Sequence, residues 1–218
     1  PRELCAAGMS VGGLVFQESG GSTGEPLTVR RTWLEERVLQ VLRRRAMLDV
    51  GVRPSDRRAL IADVWPQTVG PTPRRRPRML SLRELAGVFR DHAFDCRLEP
   101  EPLHAALVNY APDVLSGFPG TLVRLALVDE HARQRLRPRL VSCGGELLTR
   151  QARDVIRRTF GTPVFDTYAA NEFNLLAWEC AESGLLHVCD DGVILEILDA
   201  RGRPVATGER GEVVATAL

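Results

Sequence analysis

Apolar positions along the chain recur in short blocks whose period switches between two and about 3.6 residues, which predicts strands and helices in alternation. Residues 12–18 and 26–31 read as two short strands flanking a Gly/Ser/Thr loop. A helix is expected after Thr32, because Thr32 and Glu35 have capping-box spacing. Its apolar face would be Leu34, Val38, Val41 and Leu42, with Gly51 as the stop. Residues 59–65 read as a buried strand, and 66–77, rich in Pro and Arg, as a surface loop. Helical patterns follow at 82–92, 101–111 and 120–135, and strands at 139–143 and 163–168. Between the last two strands, Thr149 should cap a helix with the apolar face Ala152, Val155, Ile156 and Phe160, ended by Gly161.

Alternation of this kind implies an α/β fold, a largely parallel sheet flanked by helices. After residue 172 the pattern changes to short apolar runs at 175–179, 186–189, 193–198 and 212–216, separated by glycine turns. These predict a β-rich C-terminal subregion, antiparallel in pairing. No long linker interrupts the chain, so a single domain is the expectation.

Composition narrows the function more by exclusion than by indication. Twenty-nine basic residues face 28 acidic ones in 218, giving a net charge of +1 and no general attraction to nucleic acid or an anionic membrane. The Arg43-Arg44-Arg45 and Arg74-Arg75-Arg76 triplets lack interleaved aromatics and read as solvated faces. No apolar run is long enough for a transmembrane helix, and Pro1-Arg2-Glu3-Leu4 does not open a signal peptide. Five cysteines without scaffold spacing favour a reducing, cytoplasmic setting. All basic residues are Arg, so a step needing lysine cannot be completed within these residues.

Ligands of open α/β sheets gather at the carboxyl ends of strands, and three such ends carry unusual chemistry here. Ser19-Gly20-Gly21-Ser22-Thr23-Gly24-Glu25-Pro26 combines glycines, which let backbone N–H groups converge, with three hydroxyls. That suits a polyphosphate, although the same composition also makes an ordinary hairpin loop. Cys143-Gly144-Gly145-Glu146 allows close backbone approach to a flat ligand, or simply turns strand into helix. Asp166-Thr167-Tyr168-Ala169-Ala170-Asn171-Glu172 places a ring, an amide and a carboxylate just past a strand. A carboxylate with phosphate oxygens is what magnesium prefers, while an acidic helix start would look the same.

Taken in order, these segments resemble the adenylate-forming superfamily of acyl-CoA ligases, on its phenylacetate–CoA ligase-like branch. There the phosphate loop reads Ser-Ser/Gly-Gly-Thr/Ser-Thr-Gly-Lys-Pro, matched by Ser19 to Pro26 with Glu25 in the lysine's place. The adenine turn Gly-Ala/Gly-Glu is matched by Gly144 to Glu146, and Tyr-Gly-x-Thr-Glu by Tyr168 to Glu172, with Ala169 and Asn171 as departures. Pro112 to Pro119, Gly184 to Val188 and Gly208 to Val214 extend the resemblance over nearly the whole chain.

The resemblance implies activation of a carboxylic acid, an aryl acid in this branch, by ATP to an acyl-adenylate, then transfer to CoA. It implies nucleotide contacts from Ser19, Gly20, Gly21, Ser22, Thr23, Gly24, Gly144, Gly145, Glu146, Asp166, Tyr168 and Ala169. It implies catalytic roles for Thr23, Asn171 and Glu172, the last holding Mg2+, and an acyl pocket near Phe118 and Ala169-Ala170. It further implies that residues 1–218 are part of an AMP-binding large domain, the lysine-bearing C-terminal lid domain being absent, so that this piece alone should not turn over. Partners would be the small-molecule acid and CoA, without nucleic acid or membrane, and with a homodimer as an option. Alternatives are transfer to an amine or a carrier-protein thiol, or a non-catalytic nucleotide-binding or zinc-stabilised module. For the last, Cys180, His187 and Cys189 are candidate Zn2+ ligands, with Cys143 or Cys96 as a fourth.

Overall fold

The computed structural model describes residues 2–4, 15–18, 27–63 and 90–218. They form two compact units, Val50–Asp166 and a second made from Pro1–Asp49 with Thr167–Leu218.

Unit Val50–Asp166 holds β4 (Arg57–Ala62), β5 (Arg90–Asp95), α2 (Pro100–Tyr110), β6 (Val114–Gly117), α3 (Pro119–His131), β7 (Leu140–Gly144), α4 (Arg150–Phe160) and the start of β8 (Val164–Tyr168). Its strand order is β8-β7-β6-β4-β5, and β4 pairs in parallel with both β5 and β6, as β6 does with β7. Parallel neighbours need a connection long enough to cross over, and helix α2 lies between β5 and β6, α3 between β6 and β7, and α4 between β7 and β8. Val114 and Leu115, adjacent in β6 and therefore on opposite faces, are both fully buried, as a strand covered on two sides requires. Leu103 and Leu107 of α2, Leu122 and Leu125 of α3 and Ile156 and Phe160 of α4 join Ile61, Leu115 and Val141 in one core. Each such side chain contributes about 1.5–3 kcal/mol of burial.

Caps read from the sequence are formed. The Thr149 hydroxyl accepts the Ala152 N–H at 3.1 Å, and Gly161 closes α4 in the left-handed region at φ 65°. The expected helix over 82–92 is corrected at its end: residues 90–95 are strand β5, whose Phe94 is buried while its backbone pairs with β4. Tertiary pairing overrides helical spacing there. Residues 82–89 lie outside the described residues, as do 66–77.

The other unit holds β1 (Arg2–Leu4), β2 (Val15–Glu18), β3 (Leu27–Arg31), α1 (Trp33–Asp49), β9 (Ala177–Glu179), β10 (Leu186–Val188), β11 (Val193–Leu198) and β12 (Glu212–Ala217). β1 and β2 flank β3, the first parallel and the second antiparallel. The end of β8 pairs antiparallel with β9, β9 with β10, and β11 with β12, which is the β-rich subregion read from the sequence. The capping box of α1 is complete: Thr32 N–H donates to Glu35 Oε2 at 2.6 Å, and Glu35 N–H to Thr32 Oγ1 at 3.2 Å. The expected core face of α1 is a second correction. Leu34, Val38 and Val41 are 65, 51 and 61% exposed, Leu42 alone of the four is half-buried, its Cδ1 2.8 Å from where a β-carbon on Gly192 would stand, and the buried residue of this helix is Ala46. Periodicity identifies the apolar face of a helix but not the neighbour that covers it.

Candidate functional site

The phosphate-loop residues Ser19, Gly20, Gly21, Ser22, Thr23, Gly24 and Glu25 lie outside the described residues. On either side of them, β2 and β3 pair antiparallel with Glu18 opposite Thr28.

Gly144 ends β7, as the sequence requires of a residue at a strand's carboxyl end, and Gly145 follows at φ 78°, a conformation that favours glycine. A β-carbon on Gly145 would stand 2.7 Å from the Phe118 ring, so the turn closes onto the residue assigned to the acyl pocket. Glu146 turns its carboxylate to the first turn of α3, where Oε2 accepts the Gly120 N–H at 2.9 Å. A carboxylate there is favoured by the unpaired N–H groups and positive dipole end of the helix. Phe118 precedes that helix, so one short loop and one helix start share the two contacts.

Asp166, Thr167 and Tyr168 occupy the carboxyl half of β8. Asp166 is half-buried and the Tyr168 ring is 44% exposed, open for stacking. Ala169 and Ala170 leave the strand, and residues 171–173 form a turn closed by Phe173 and Asn174 N–H groups on the Ala170 carbonyl, at 3.1 and 2.8 Å. Asn171 and Glu172 are half-buried at the head of this turn, not in a helix.

Two arginines that no motif singled out hold it. Arg31, buried at the end of β3, donates to the Asn171 carbonyl and pairs with Glu36 at 3.4 Å. Arg43 donates to Asn174 Oδ1 at 3.0 Å, and Asn174 itself sits at φ 64°. The only signal for Arg43 was the arginine triplet read as a solvated face, and for Arg31 there was none.

The zinc expectation is corrected. Among the described residues no group of three or more His, Cys, Asp and Glu side chains is placed to hold a metal ion. Register explains why. The Cys180 N–H bonds the Leu185 carbonyl and the Cys189 N–H bonds the Leu176 carbonyl, so the two cysteines mark opposite ends of the β9–β10 hairpin. Leu176 and Cys180 are four residues apart along one strand, about 13 Å at strand rise. Two thiolates on one zinc lie within about 4 Å of each other. Cys189 is buried, which pushes its thiol up, whereas His187 is exposed. Cys180 is a different kind of group. Hydrogen bonds from Ser183, from the Glu182 backbone and from His187 pull its thiol down to about 7.

No helix among the described residues is long and apolar enough to cross a membrane. No protein-family profile matches the chain, and no curated protein matches its sequence significantly. Solved structures do match. An open conformation of 2-hydroxyisobutyryl-CoA ligase in complex with 2-HIB-AMP and CoA superposes with a TM-score of 0.73 at 21% identity, over 96% of this chain and 49% of that one. Anthranilate CoA ligase AuaEII in complex with anthranoyl-AMP gives 0.66 at 15% identity, over 92% of this chain and 38% of that one. A long-chain-fatty-acid-CoA ligase from Archaeoglobus fulgidus gives 0.64 at 14% identity, over 93% and 41%. The chain thus spans half or less of the length of these structures and has the fold of the part it matches.

Proposed function

We propose that this chain is the nucleotide- and acyl-binding part of an enzyme that activates a carboxylic acid with ATP and transfers the acyl group to CoA. The observation that carries the reading is the match, over nearly its whole length, to the fold of acid–CoA ligases caught with acyl-adenylate, one of them with CoA as well. Two of the three motif segments support it, because Gly144 and Tyr168 end strands β7 and β8, where ligands of such sheets collect.

In this reading the acid's carboxylate attacks the α-phosphorus of ATP, pyrophosphate leaves, and the CoA thiol then displaces AMP from the acyl-adenylate. Such chemistry depends on positioning and on offsetting charge. Ser22, Thr23 and the N–H groups of Gly20, Gly21 and Gly24 would hold the outgoing pyrophosphate. Gly144 and Gly145 let the backbone approach adenine, Tyr168 supplies a stacking face, and Asp166 and Ala169 border it. The Asn171 amide would meet the α-phosphate. Glu172 suits magnesium, since its half-buried carboxylate takes no partner among the described residues. Bound there, magnesium would neutralise charge on the phosphate oxygens. The Phe118 ring, packed on Gly145, would wall the acyl group, and a flat wall fits an aryl acid. Under this proposal residues 1–218 form part of a large AMP-binding domain that works with a separate lid.

The test is carboxylate-dependent AMP release by the parent polypeptide with ATP, Mg2+ and CoA, across aromatic and aliphatic acids. AMP released with one class of acid and lost in Glu172→Ala supports the reading. ATP binding without AMP release from any acid overturns it in favour of a binding module.

A further inference from the structure

One concavity is built from none of the residues proposed for the nucleotide. It opens between the last turns of α1 and the β9–β10 hairpin, encloses about 410 Å³, and is lined by Arg45, Asp49, Trp178, His187, Val188 and Asp190. That volume is within the range of small-ligand sites.

Its base is an oriented indole. Trp178 is 5% exposed, and its Nε1–H donates to Asp49 Oδ2 at 2.8 Å, which fixes the plane of the ring. The His187 ring lies 5.6 Å from it, centroid to centroid, tilted by 42°. This pairing follows from register, because His187 stands directly opposite Trp178 in the hairpin. The Arg45 guanidinium lies 5.4 Å from the indole centroid, a cation over the negative face of the ring. Arg45 is also ion-paired with Asp191, which is not part of the lining.

The sign of the charge decides what can enter. With Arg45 matched by Asp191, the lining keeps the carboxylates of Asp49 and Asp190 beside two aromatic rings. An anion would meet both carboxylates. An uncharged hydrocarbon would leave them without solvent. A compact cation gains the ring faces and the carboxylates together, and the chain's own guanidinium already shows the geometry. We propose that this cavity binds an organic cation, a guanidinium or alkylammonium head, between Trp178, His187, Asp49 and Asp190, with Arg45 as a built-in competitor for the indole face. The proposal does not depend on the adenylating reading.

The test titrates the full chain at fixed ionic strength with n-butylguanidinium, n-butylammonium and, as the anionic counterpart, propanesulfonate. The readout is the Trp178 indole N–H resonance, assigned by its loss in Trp178→Phe. Both cations should shift it saturably and propanesulfonate should not. Asp190→Asn should weaken cation binding about fivefold, the size of an exposed charge contact, and Arg45→Ala should strengthen it by a similar factor. Acetyl-arginine amide, run beside butylguanidinium, separates the sources: tighter binding of the peptide identifies a side chain of another protein, equal binding a free small molecule. A saturable shift with propanesulfonate, no shift with either cation, or loss of cation binding in Arg45→Ala overturns the proposal. Both substitutions are at exposed positions, and an unchanged amide spectrum elsewhere verifies that the variants are folded.

Discussion

The ring of Phe118 fills the space that a side chain on Gly145 would need, with its Cε1 2.7 Å from where that β-carbon would be. Two costs coincide at this position, because Gly145 also sits at φ 78°. Either the ring or the β7–α4 turn would have to move. Gly145→Ala should therefore destabilise the fold by about 1–3 kcal/mol, the range of small-to-large changes at tight, left-handed sites. Urea unfolding measures it. In the proposed enzyme the same variant should lose nucleotide affinity, since the turn it displaces is the one assigned to adenine.

Asp129 gives a second test, away from any ligand. It is fully buried in α3, where Oδ1 meets His104 Nε2 at 2.9 Å and the Leu136 N–H at 2.6 Å, and Arg135 Nε lies 3.4 Å from Oδ2. The network ties α2, α3 and the segment leading to β7 together. Truncation to alanine leaves His104 and the Leu136 N–H buried without their acceptor. Asp129→Ala should cost about 3–5 kcal/mol, as loss of one member of a buried charged network does. His104→Ala should cost less, because Asp129 keeps Leu136 and Arg135. Paired denaturant curves decide the order.

The Cys180 thiol should titrate near neutrality. Its pKa falls from an ordinary value near 9 to about 7, chiefly through the Ser183 side chain, with the Ser183 N–H also reaching the sulfur at 3.5 Å. Because the folded value is the lower one, the favourable contribution of the thiolate is complete above pH 9 and is lost as pH falls through 7. Alkylation by iodoacetamide should accordingly show a midpoint near pH 7 for one cysteine of intermediate exposure, while buried Cys189 and Cys143 stay slow. Ser183→Ala should move the midpoint upward. A single midpoint near 9 for every reactive thiol would refute the assignment.

What was legible in the sequence, and what was not, divides by range. Segments β6 to β8 were readable because each carries its own punctuation: Thr149 before α4, Gly161 after it, and Gly144-Gly145 after β7. The loops of the proposed site were readable for the same reason, since glycine runs and the resemblance mark them. Strand β5 was not, because six residues of mixed polarity become a strand only beside β4. The clamp on the Asn171 turn was not, because Arg31 and Arg43 reach it from 140 and 131 residues away. Cys180, His187 and Cys189 were adjacent enough in sequence to suggest one metal, yet hairpin register sets Cys180 and Cys189 at opposite ends of the hairpin.

Helix α1 turns that last lesson into a measurement. Leu34, Val38, Val41 and Leu48 follow one another at intervals of four, three and seven residues, which places them on one face. A helix that buried this stripe would lose about 2–5 kcal/mol for each truncated Leu and somewhat less for each Val. Here the four are 65, 51, 61 and 48% exposed, and the opposite side carries the buried Ala46 and the half-buried Glu36 and Gln40, joined by a 3.0 Å hydrogen bond. Polar replacement therefore removes little burial and leaves the capping box of Thr32 and Glu35 in place. The triple variant Leu34→Gln, Val38→Gln and Val41→Gln should change unfolding free energy by less than about 1.5 kcal/mol in total, three exposed substitutions of about 0.5 kcal/mol each. Ala46→Gln, which forces a long polar side chain into the packed side, should cost more on its own than the three together. Guanidinium melts of both variants against the parent decide the matter: a collapse of stability in the triple variant would mean that this face is covered in the folded protein, and a silent Ala46→Gln would mean that the helix is rotated.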